Sequence, residues 1–267
     1  MEQGPEYRAM LAVDIKGSGG RGDTAQRRIR ETLFAAVTQA VRLTGIDPDA
    51  CHVRDSGDAA RVIVPPSVPK YRLVAPLLTE LAAHLRAAND LASPLATVRV
   101  RAALHAGDVY LDDGGVRPAG RGGAAGRTLE VLARLLDAAP VRQALAQAPP
   151  SVTVAAIMSQ HFYEETVPHG YPGIVPGAFR KVRVTEKEYD ADAWLFVPGS
   201  PVPPAAPGPG SAGQHPAAAP GTAGPAGGQY TMTNTASGSG VINAVQGGDM
   251  HVGLPARPGR PAPDHAP

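Results

Sequence analysis

The chain has 267 residues, of which 25 are basic and 24 are acidic, so its formal net charge is +1. This balance gives no electrostatic reason to expect a nucleic-acid partner or an anionic membrane partner, and we expect neither. A single cysteine, Cys51, excludes an internal disulfide framework and fits a reducing compartment, so we expect a cytoplasmic protein. We also expect no membrane span and no secretory signal, because the sequence has neither pattern.

The composition changes sharply near residue 198. Residues 198–229 contain no Asp, Glu, Lys or Arg, and nearly all of them are Pro, Gly, Ala or Ser. Such a segment cannot bury enough apolar surface to offset the entropy lost on ordering, which predicts a disordered linker. The sequence therefore predicts a globular domain over 5–197, a linker over 198–229, a short motif over 230–254 and a disordered tail over 255–267.

Apolar periodicity predicts the secondary structure of the globular part. In chain order we expect a strand over 8–15, a helix from 24, strands over 51–54 and 59–64, a helix over 71–88 and a strand over 97–105. There follow a short strand over 109–111 that pairs back, helices from 128 and over 141–146, and strands over 152–157, 180–184 and 193–197. This βαββαβ order with further αβ elements predicts an α+β fold, a ferredoxin-like sandwich.

Two aspartates fall at the ends of predicted strands. Asp14 closes the first strand, just before a glycine-rich run over 17–20, and Asp58 lies in the turn over 55–58. Adjacent strands would bring both carboxylates to one edge of the sheet, where they suit metal ions that clamp a triphosphate. Aspartates at such positions also commonly just end strands or cap turns, so this structural alternative stays open.

Several segments resemble class III nucleotide cyclase domains. Residues 11–15 (Leu-Ala-Val-Asp-Ile), 57–58 (Gly-Asp), 101–107 (Arg-Ala-Ala-Leu-His-Ala-Gly) and 126–137 occur in the order and spacing of that family. Residues 134–138, 162–165 and 182–188 are similar to an actinobacterial cyclase-like group. The resemblance covers roughly 7–197. It implies the cyclase type of sandwich, Mg²⁺ or Mn²⁺ as cofactor if the domain is active, a nucleoside triphosphate as ligand, and a head-to-tail homodimer that shares its sites between two domains.

The resemblance also implies roles for single residues. Asp14 and Asp58 match the metal-binding aspartates, and Arg134 matches the arginine that stabilises charge on the transferring phosphate. Lys187 matches a late lysine that contacts the triphosphate. His105 we expect to be a hydrogen-bonded core histidine rather than a catalyst.

Three positions depart from the family pattern. Glu130 stands where cyclases orient the ribose with asparagine, Arg54 replaces a base-reading lysine or glutamate, and Gly123 offers no side chain at the second base-reading position. Each lost polar contact lowers the rate by orders of magnitude, so we expect a degenerate site in which Arg54 and Arg121 still attract an anion. For Arg134 the alternative is a surface residue paired with Glu130, four positions earlier on the helix.

The run over 240–253 differs from the linker before it. It contains β-prone apolar residues and two amides, carries one fixed charge and has no proline, which is typical of a segment that stacks in register as cross-β structure. The residues that we expect to form this self-assembly core are Val241, Ile242, Asn243, Val245, Gln246 and Val252. The run resembles bacterial amyloid signalling motifs related to the RIP homotypic interaction motif, which implies a protein partner with a matching motif. A disordered tail with one adhesive patch is the alternative.

Three functional hypotheses follow. The first is a signalling or adaptor protein with a catalytically degenerate cyclase-like domain and a β-templating tail. The second is an active metal-dependent cyclase that makes a 3′,5′-cyclic nucleotide from a nucleoside triphosphate. The third is a protein-interaction module without a ligand.

Overall fold

The computed structural model describes residues 4–111 and 124–199, which form a mixed sheet with helices on both faces. The strands are β1 (Glu6–Ile15), β2 (His52–Asp55), β3 (Ala59–Ile63), β4 (Val100–Leu111), β5 (Ala124–Ala125), β6 (Val154–Ser159), β7 (Phe179–Glu186) and β8 (Tyr189–Phe196). The helices are α1 (Asp23–Leu43), α2 (Leu77–Asp90), α3 (Arg127–Asp137), α4 (Ala139–Gln147) and α5 (Gln160–Glu164). The predicted α+β sandwich and its element order are confirmed.

The sheet is centred on β1 and β4. Its strand order is β2-β3-β1-β4-β6-β8-β7, with β5 paired to β4 outside this path. Strand β1 pairs antiparallel with β3 on one side and with β4 on the other, and β6 runs parallel to β4. The C-terminal end of β1 therefore lies beside the start of β4 and the turn that precedes β3.

Both faces of β1 are buried because its apolar residues are continuous rather than alternating with polar ones. Leu11 and Val13 belong to the core beneath α1 and α2, whereas Met10 and Ala12 belong to the core beneath α3 and α4. By the same two-residue period, Asp14 faces the side of α3 and α4. Helix α1 packs its buried apolar residues into the core that contains Leu11 and Val13.

Helix α1 follows its predicted pattern closely. Ile29, Leu33 and Val37 recur every four residues and are buried. The helix ends where the hydroxyl of Thr44 donates to the carbonyl of Ala40 at 2.9 Å and Gly45 adopts a positive φ of 71°. A left-handed glycine after the last turn is a common helix terminator.

Two predictions of local structure are wrong. Residues 109–111 do not form a separate strand that pairs back, because they continue β4, which pairs with β1 from Val100 opposite Ile15 to Val109 opposite Glu6 and with β5 at Tyr110 and Leu111. The predicted helix over 71–88 is split into a 3-10 turn over Lys70–Leu73 and α2, which starts after Pro76. Proline has no N–H to donate and restricts the residue before it, so a helix begins after it more readily than through it.

Some predictions lie outside the described residues. These are Arg121, Gly123 and the linker from residue 200 onward, together with the motif and tail, so the predicted domain bounds stay predictions. Within 4–111 and 124–199, none of the helices has the length and apolar character that a membrane span requires.

Candidate functional site

The structure places Asp14 near the end of β1 and Asp58 in the turn immediately before β3, at the same end of the sheet. Asp14 lies opposite Ala59 in the β1–β3 register, and the backbone N–H of Ile15 donates to the carbonyl of Asp58 at 2.9 Å. The charge of Asp58 contributes to raising the pKa of Asp14, which means that the two carboxylates are near enough to repel each other.

Arg101 lies opposite Asp14 on β4 and forms an ion pair with it. The guanidinium Nε donates to Asp14 Oδ2 at 3.2 Å, and Nη2 contacts the same oxygen. The Nη1 group of Arg101 lies 3.8 Å from Asp137 Oδ1, at the C-terminal end of α3. Only 17% of the Arg101 side chain and 16% of the Asp14 side chain are exposed, so this pair is largely withdrawn from water.

Two carboxylates, those of Asp14 and Asp137, therefore lie beside the Arg101 guanidinium, and Asp58 lies near Asp14. Burial is the main cause that raises the pKa of Asp14 above its ordinary value; Arg101 opposes this rise, and Asp58 and Asp137 add to it. Burial thus outweighs the opposing effect of Arg101 on the pKa of Asp14. A divalent cation held here would favour the charged carboxylate and so lower this pKa.

The donor set fits a nucleotide-bound metal better than a metal held by protein alone. Among the residues that the structure describes, no group of three or more His, Cys, Asp or Glu is arranged to hold a metal ion. A hard cation here would have the carboxylates of Asp14 and Asp58, with phosphate and water oxygens completing its shell. Magnesium is commonly bound in this way in phosphate-transfer sites.

The glycine-rich loop between β1 and α1 is hydrogen-bonded to the end of the sheet that carries the two aspartates. Ser18 Oγ donates to Asp58 Oδ2. Arg21 fixes the loop by donating to the carbonyls of Gly17 at 2.6 Å and Lys16 at 2.9 Å, and it reaches Thr97 at 2.6 Å. Helix α1 starts two residues later without a side-chain cap, so its first N–H groups are directed toward the same loop.

The turn that carries Asp58 depends on a glycine. Gly57 has a φ of 91°, and a Cβ added there would lie 2.2 Å from Nη2 of Arg30 on α1. Arg30 can lie against the turn only because this side chain is absent. Arg27, Arg30 and Asp55 line a groove of about 500 Å³ between α1 and this turn.

Arg134 and Lys187 form a second group. Arg134 Nη2 lies 3.6 Å from Glu188 Oε2, and Lys187, with a φ of 53°, shares the two-residue turn between β7 and β8 with Glu188. The partner of Arg134 in the structure is thus Glu188, and not Glu130 as the surface alternative supposed. Within the described residues, no ion pair or hydrogen bond joins this group to Asp14 or Asp58.

Arg54 is exposed on β2 and lies directly opposite Arg61 on β3. His105 Nδ1 is 2.8 Å from the Ser159 hydroxyl, and burial together with the nearby His161 lowers the His105 pKa to about 4. A neutral, hydrogen-bonded histidine of this kind agrees with the expected core role.

Sequence reasoning gave no role to Arg101, Ser18 or Asp137. Arg101 stands in the segment that resembles the cyclases, but its contact with Asp14 depends on the register of two strands far apart in sequence. The available signal was its position in the alternating pattern of β4, which places a charged residue beside Ala103 on a partly buried face. A polar residue at such a position commonly has a functional or structural partner.

Comparisons with known proteins agree on the fold. No protein-family model matches the sequence, and no characterised protein matches it in sequence. The crystal structure of the guanylyl cyclase Cya2 matches with a TM-score of 0.53 at 16% identity, over 74% of this chain and 93% of that chain. An adenylate/guanylate cyclase/hydrolase from Silicibacter pomeroyi matches with a TM-score of 0.50 at 17% identity, over 74% of this chain and 100% of that chain.

A bacterial light-regulated adenylyl cyclase also matches, with a TM-score of 0.50 at 12% identity, over 71% of this chain and 52% of that chain. At these identities the likeness establishes the fold. The described residues of this chain adopt the fold of nucleotide cyclase domains.

Proposed function

We propose that this chain is a signalling protein whose cyclase-like domain binds a nucleoside triphosphate together with Mg²⁺ or Mn²⁺ and has lost most or all catalysis. The observation that carries this proposal is the convergence of Asp14, paired with Arg101, and Asp58, hydrogen-bonded to Ser18 of the glycine-rich loop, at one end of the sheet. In the second part of the proposal, the C-terminal motif over 230–254 recruits a partner by β-templating.

The cluster suits a metal-bound triphosphate for an electrostatic reason. Asp14 and Asp58 would hold the metal, which supplies positive charge to the phosphates. With Asp14 holding a cation, the guanidinium of Arg101 would be available to donate to a phosphate oxygen. The loop that Arg21 fixes precedes the N-terminus of α1, where backbone N–H groups would be available to the same phosphates.

Reduced catalysis follows from the residues around Arg134. Glu130 is exposed one turn before it on α3, where a carboxylate repels a bound phosphate. The guanidinium of Arg134 lies near Glu188, which competes for it. Arg54, which stands in place of a base-reading lysine or glutamate, is a further departure from the cyclase pattern.

The proposal includes the head-to-tail homodimer that the resemblance implies. Asp14 and Asp58 form one group, and Arg134 and Lys187 form another with no direct contact to it in the described residues. A head-to-tail pair of chains would place one group opposite the other, so that each triphosphate lies between two copies.

Calorimetry tests nucleotide binding. The full-length protein is titrated with each of the four nucleoside triphosphates in Mn²⁺, for wild type and for Asp58→Asn, which keeps the shape and removes the charge. We expect at least one nucleotide to bind, with at least tenfold weaker affinity in the variant. Asp49→Asn, an exposed aspartate before β2, is the matched control and should bind as wild type. No binding of any nucleotide would contradict the proposal and favour the interaction module without a ligand.

An active cyclase is the second candidate, and the presence of Arg134 favours it. Its side chain is 26% exposed, so it remains available to a substrate in spite of Glu188. Mixtures of the protein, Mn²⁺ and each of the four nucleoside triphosphates are analysed for cyclic nucleotide and pyrophosphate. Product that disappears in Asp58→Ala supports an enzyme, whereas no product from any nucleotide rules it out.

The tail is tested separately with a peptide over 231–253. We expect fibrils that bind thioflavin, and we expect none from the same peptide with Val245→Pro, because proline removes a backbone donor from the ladder. A wild-type peptide that stays monomeric at high concentration would contradict β-templating.

A further inference from the structure

Each of the two site aspartates has one carboxylate oxygen that already accepts a hydrogen bond. The Oδ2 atom of Asp14 accepts from the guanidinium of Arg101. The Oδ2 atom of Asp58 accepts from the hydroxyl of Ser18. Within residues 4–111 and 124–199, no hydrogen bond or ion pair involves the Oδ1 atom of either aspartate. Each carboxylate therefore has one oxygen with a donor and one oxygen that a further ligand can use.

The two donors differ in charge, and a cation affects them differently. A cation near Asp14 repels the positive guanidinium of Arg101, which favours movement of that guanidinium toward a phosphate. The hydroxyl of Ser18 is neutral, so it can remain on one oxygen of Asp58 while the other oxygen binds a metal. Carboxylates that ligate metals are commonly hydrogen-bonded by a second group, which fixes their orientation. Ser18 is in the position of such a group.

The loop around Ser18 is held by contacts of its own. The carbonyl of Gly17 accepts from Arg21 Nε at 2.6 Å, and the carbonyl of Ser18 accepts from Gln26 Nε2 at 3.5 Å. Arg21 also donates to the carbonyl of Thr97, shortly before β4, at 2.6 Å. These contacts place the Ser18 hydroxyl on Asp58 without help from a ligand. Supporting groups that are held in this way improve the precision of a binding site.

We propose that Ser18 is a positioning residue for the metal: its hydroxyl holds Oδ2 of Asp58, so that Oδ1 is the oxygen that binds Mg²⁺ or Mn²⁺. This inference rests on the proposed function, because it assumes that Asp58 binds a metal. It adds a residue to the site and a mode of coordination through one carboxylate oxygen. Because only two protein carboxylates are available here, the orientation of each one has a large effect on metal affinity.

Binding of Mn²⁺ tests this role without any catalysis. Free Mn²⁺ is measured by electron paramagnetic resonance during titration of the full-length protein, with and without inorganic tripolyphosphate, for wild type, Ser18→Ala and Ser18→Thr. We expect Ser18→Ala to bind Mn²⁺ at least about tenfold more weakly, as when other groups that orient metal ligands are removed. Ser18→Thr keeps the hydroxyl and should bind Mn²⁺ within about threefold of wild type.

The matched control is Ser56→Ala. Ser56 is an exposed serine in the turn that carries Asp58, and within the described part of the chain its hydroxyl makes no hydrogen bond. This variant should bind Mn²⁺ as wild type does. Thermal melts establish that the variants fold. If Ser18→Ala does not fold, Ser18→Gly takes its place, since the residues on both sides of Ser18 are already glycine.

The outcomes separate this inference from the proposed function. Equal Mn²⁺ affinity in wild type and Ser18→Ala would overturn the role of Ser18 and leave the proposed function in place. A loss that Ser18→Thr does not restore, or that Ser56→Ala shares, would also overturn it, because the hydroxyl of Ser18 would then not be the cause. If wild type binds no Mn²⁺, even with tripolyphosphate, the metal site of the proposed function fails and this inference fails with it.

Discussion

Replacing His105 with glutamine should flatten the acid dependence of folding stability. His105 lies in the middle of β4, and its Nδ1 is 2.8 Å from the hydroxyl of Ser159, which also accepts from the N–H of Phe162 to cap α5. The imidazole therefore links the central strand to the start of α5. Glutamine can keep a hydrogen bond to the Ser159 hydroxyl but does not titrate.

The magnitude follows from the pKa of His105. Burial, with the charge of His161, lowers this pKa from 6.5 to about 4, so the folded protein holds the imidazole neutral. The unfolded chain takes up a proton at pH values where the folded chain does not. This contribution is fully present above pH 6.5 and is lost as the pH falls toward 4. At 1.36 kcal/mol per pH unit, the loss is about 1 kcal/mol at pH 5.5 and about 2 to 3 kcal/mol at pH 4.5.

Urea unfolding at pH 7.5, 5.5 and 4.5 measures this effect. As the pH falls, the free energy of unfolding of wild type should decrease by those amounts more than that of His105→Gln. Comparing the two proteins cancels the carboxylates that also titrate in this range. His169→Gln, at an exposed histidine, should behave as wild type. A constant difference between wild type and His105→Gln across the three pH values would refute the reasoning.

Three further predictions concern the edge of the sheet and its supports. Gly57→Ala should lower the free energy of unfolding by about 1 to 2 kcal/mol, because φ is 91° and the new methyl group meets Arg30, and it should weaken Mn²⁺ binding in a calorimetric titration. Gly45→Ala, also at positive φ but without such a close contact, should leave Mn²⁺ binding unchanged in that titration. Arg99→Gln should lower the midpoint of urea unfolding by an amount equivalent to about 2 to 3 kcal/mol, since its guanidinium donates to backbone carbonyls at the end of α4; a shift under about 0.5 kcal/mol would show that water replaces it. Arg134→Ala should keep nucleotide affinity within about threefold while removing any cyclic product, and product made at the wild-type rate would exclude a role in chemistry.

The sequence predicted those parts of the fold that depend on local pattern. The apolar stripe of α1 and the strand pattern of β1 are readable within their own residues, and both elements form as expected. The length of β4 was missed because pairing with β1 extends it beyond the run that its own composition favours. The break before α2 was missed because helical periodicity continues across Pro76.

The candidate site was predicted less completely, for a related reason. The positions of Asp14 and Asp58 follow from a strand end and a turn, which are local features. The ion pair of Asp14 with Arg101 depends on the β1–β4 register. Arg134 shows the same limit: the rule for residues four apart on a helix points to Glu130, whereas a hairpin far along the chain supplies Glu188.

The claim that Asp14 and Asp58 hold a metal ion together with a triphosphate is tested most directly by crystals grown with Mn²⁺ and a nucleotide. An anomalous difference map should show manganese between the two carboxylates, coordinated by phosphate oxygens, with the side chain of Arg101 moved from Asp14 toward a phosphate. A map in which nucleotide and manganese bind elsewhere, while Arg101 remains paired with Asp14, would contradict the account.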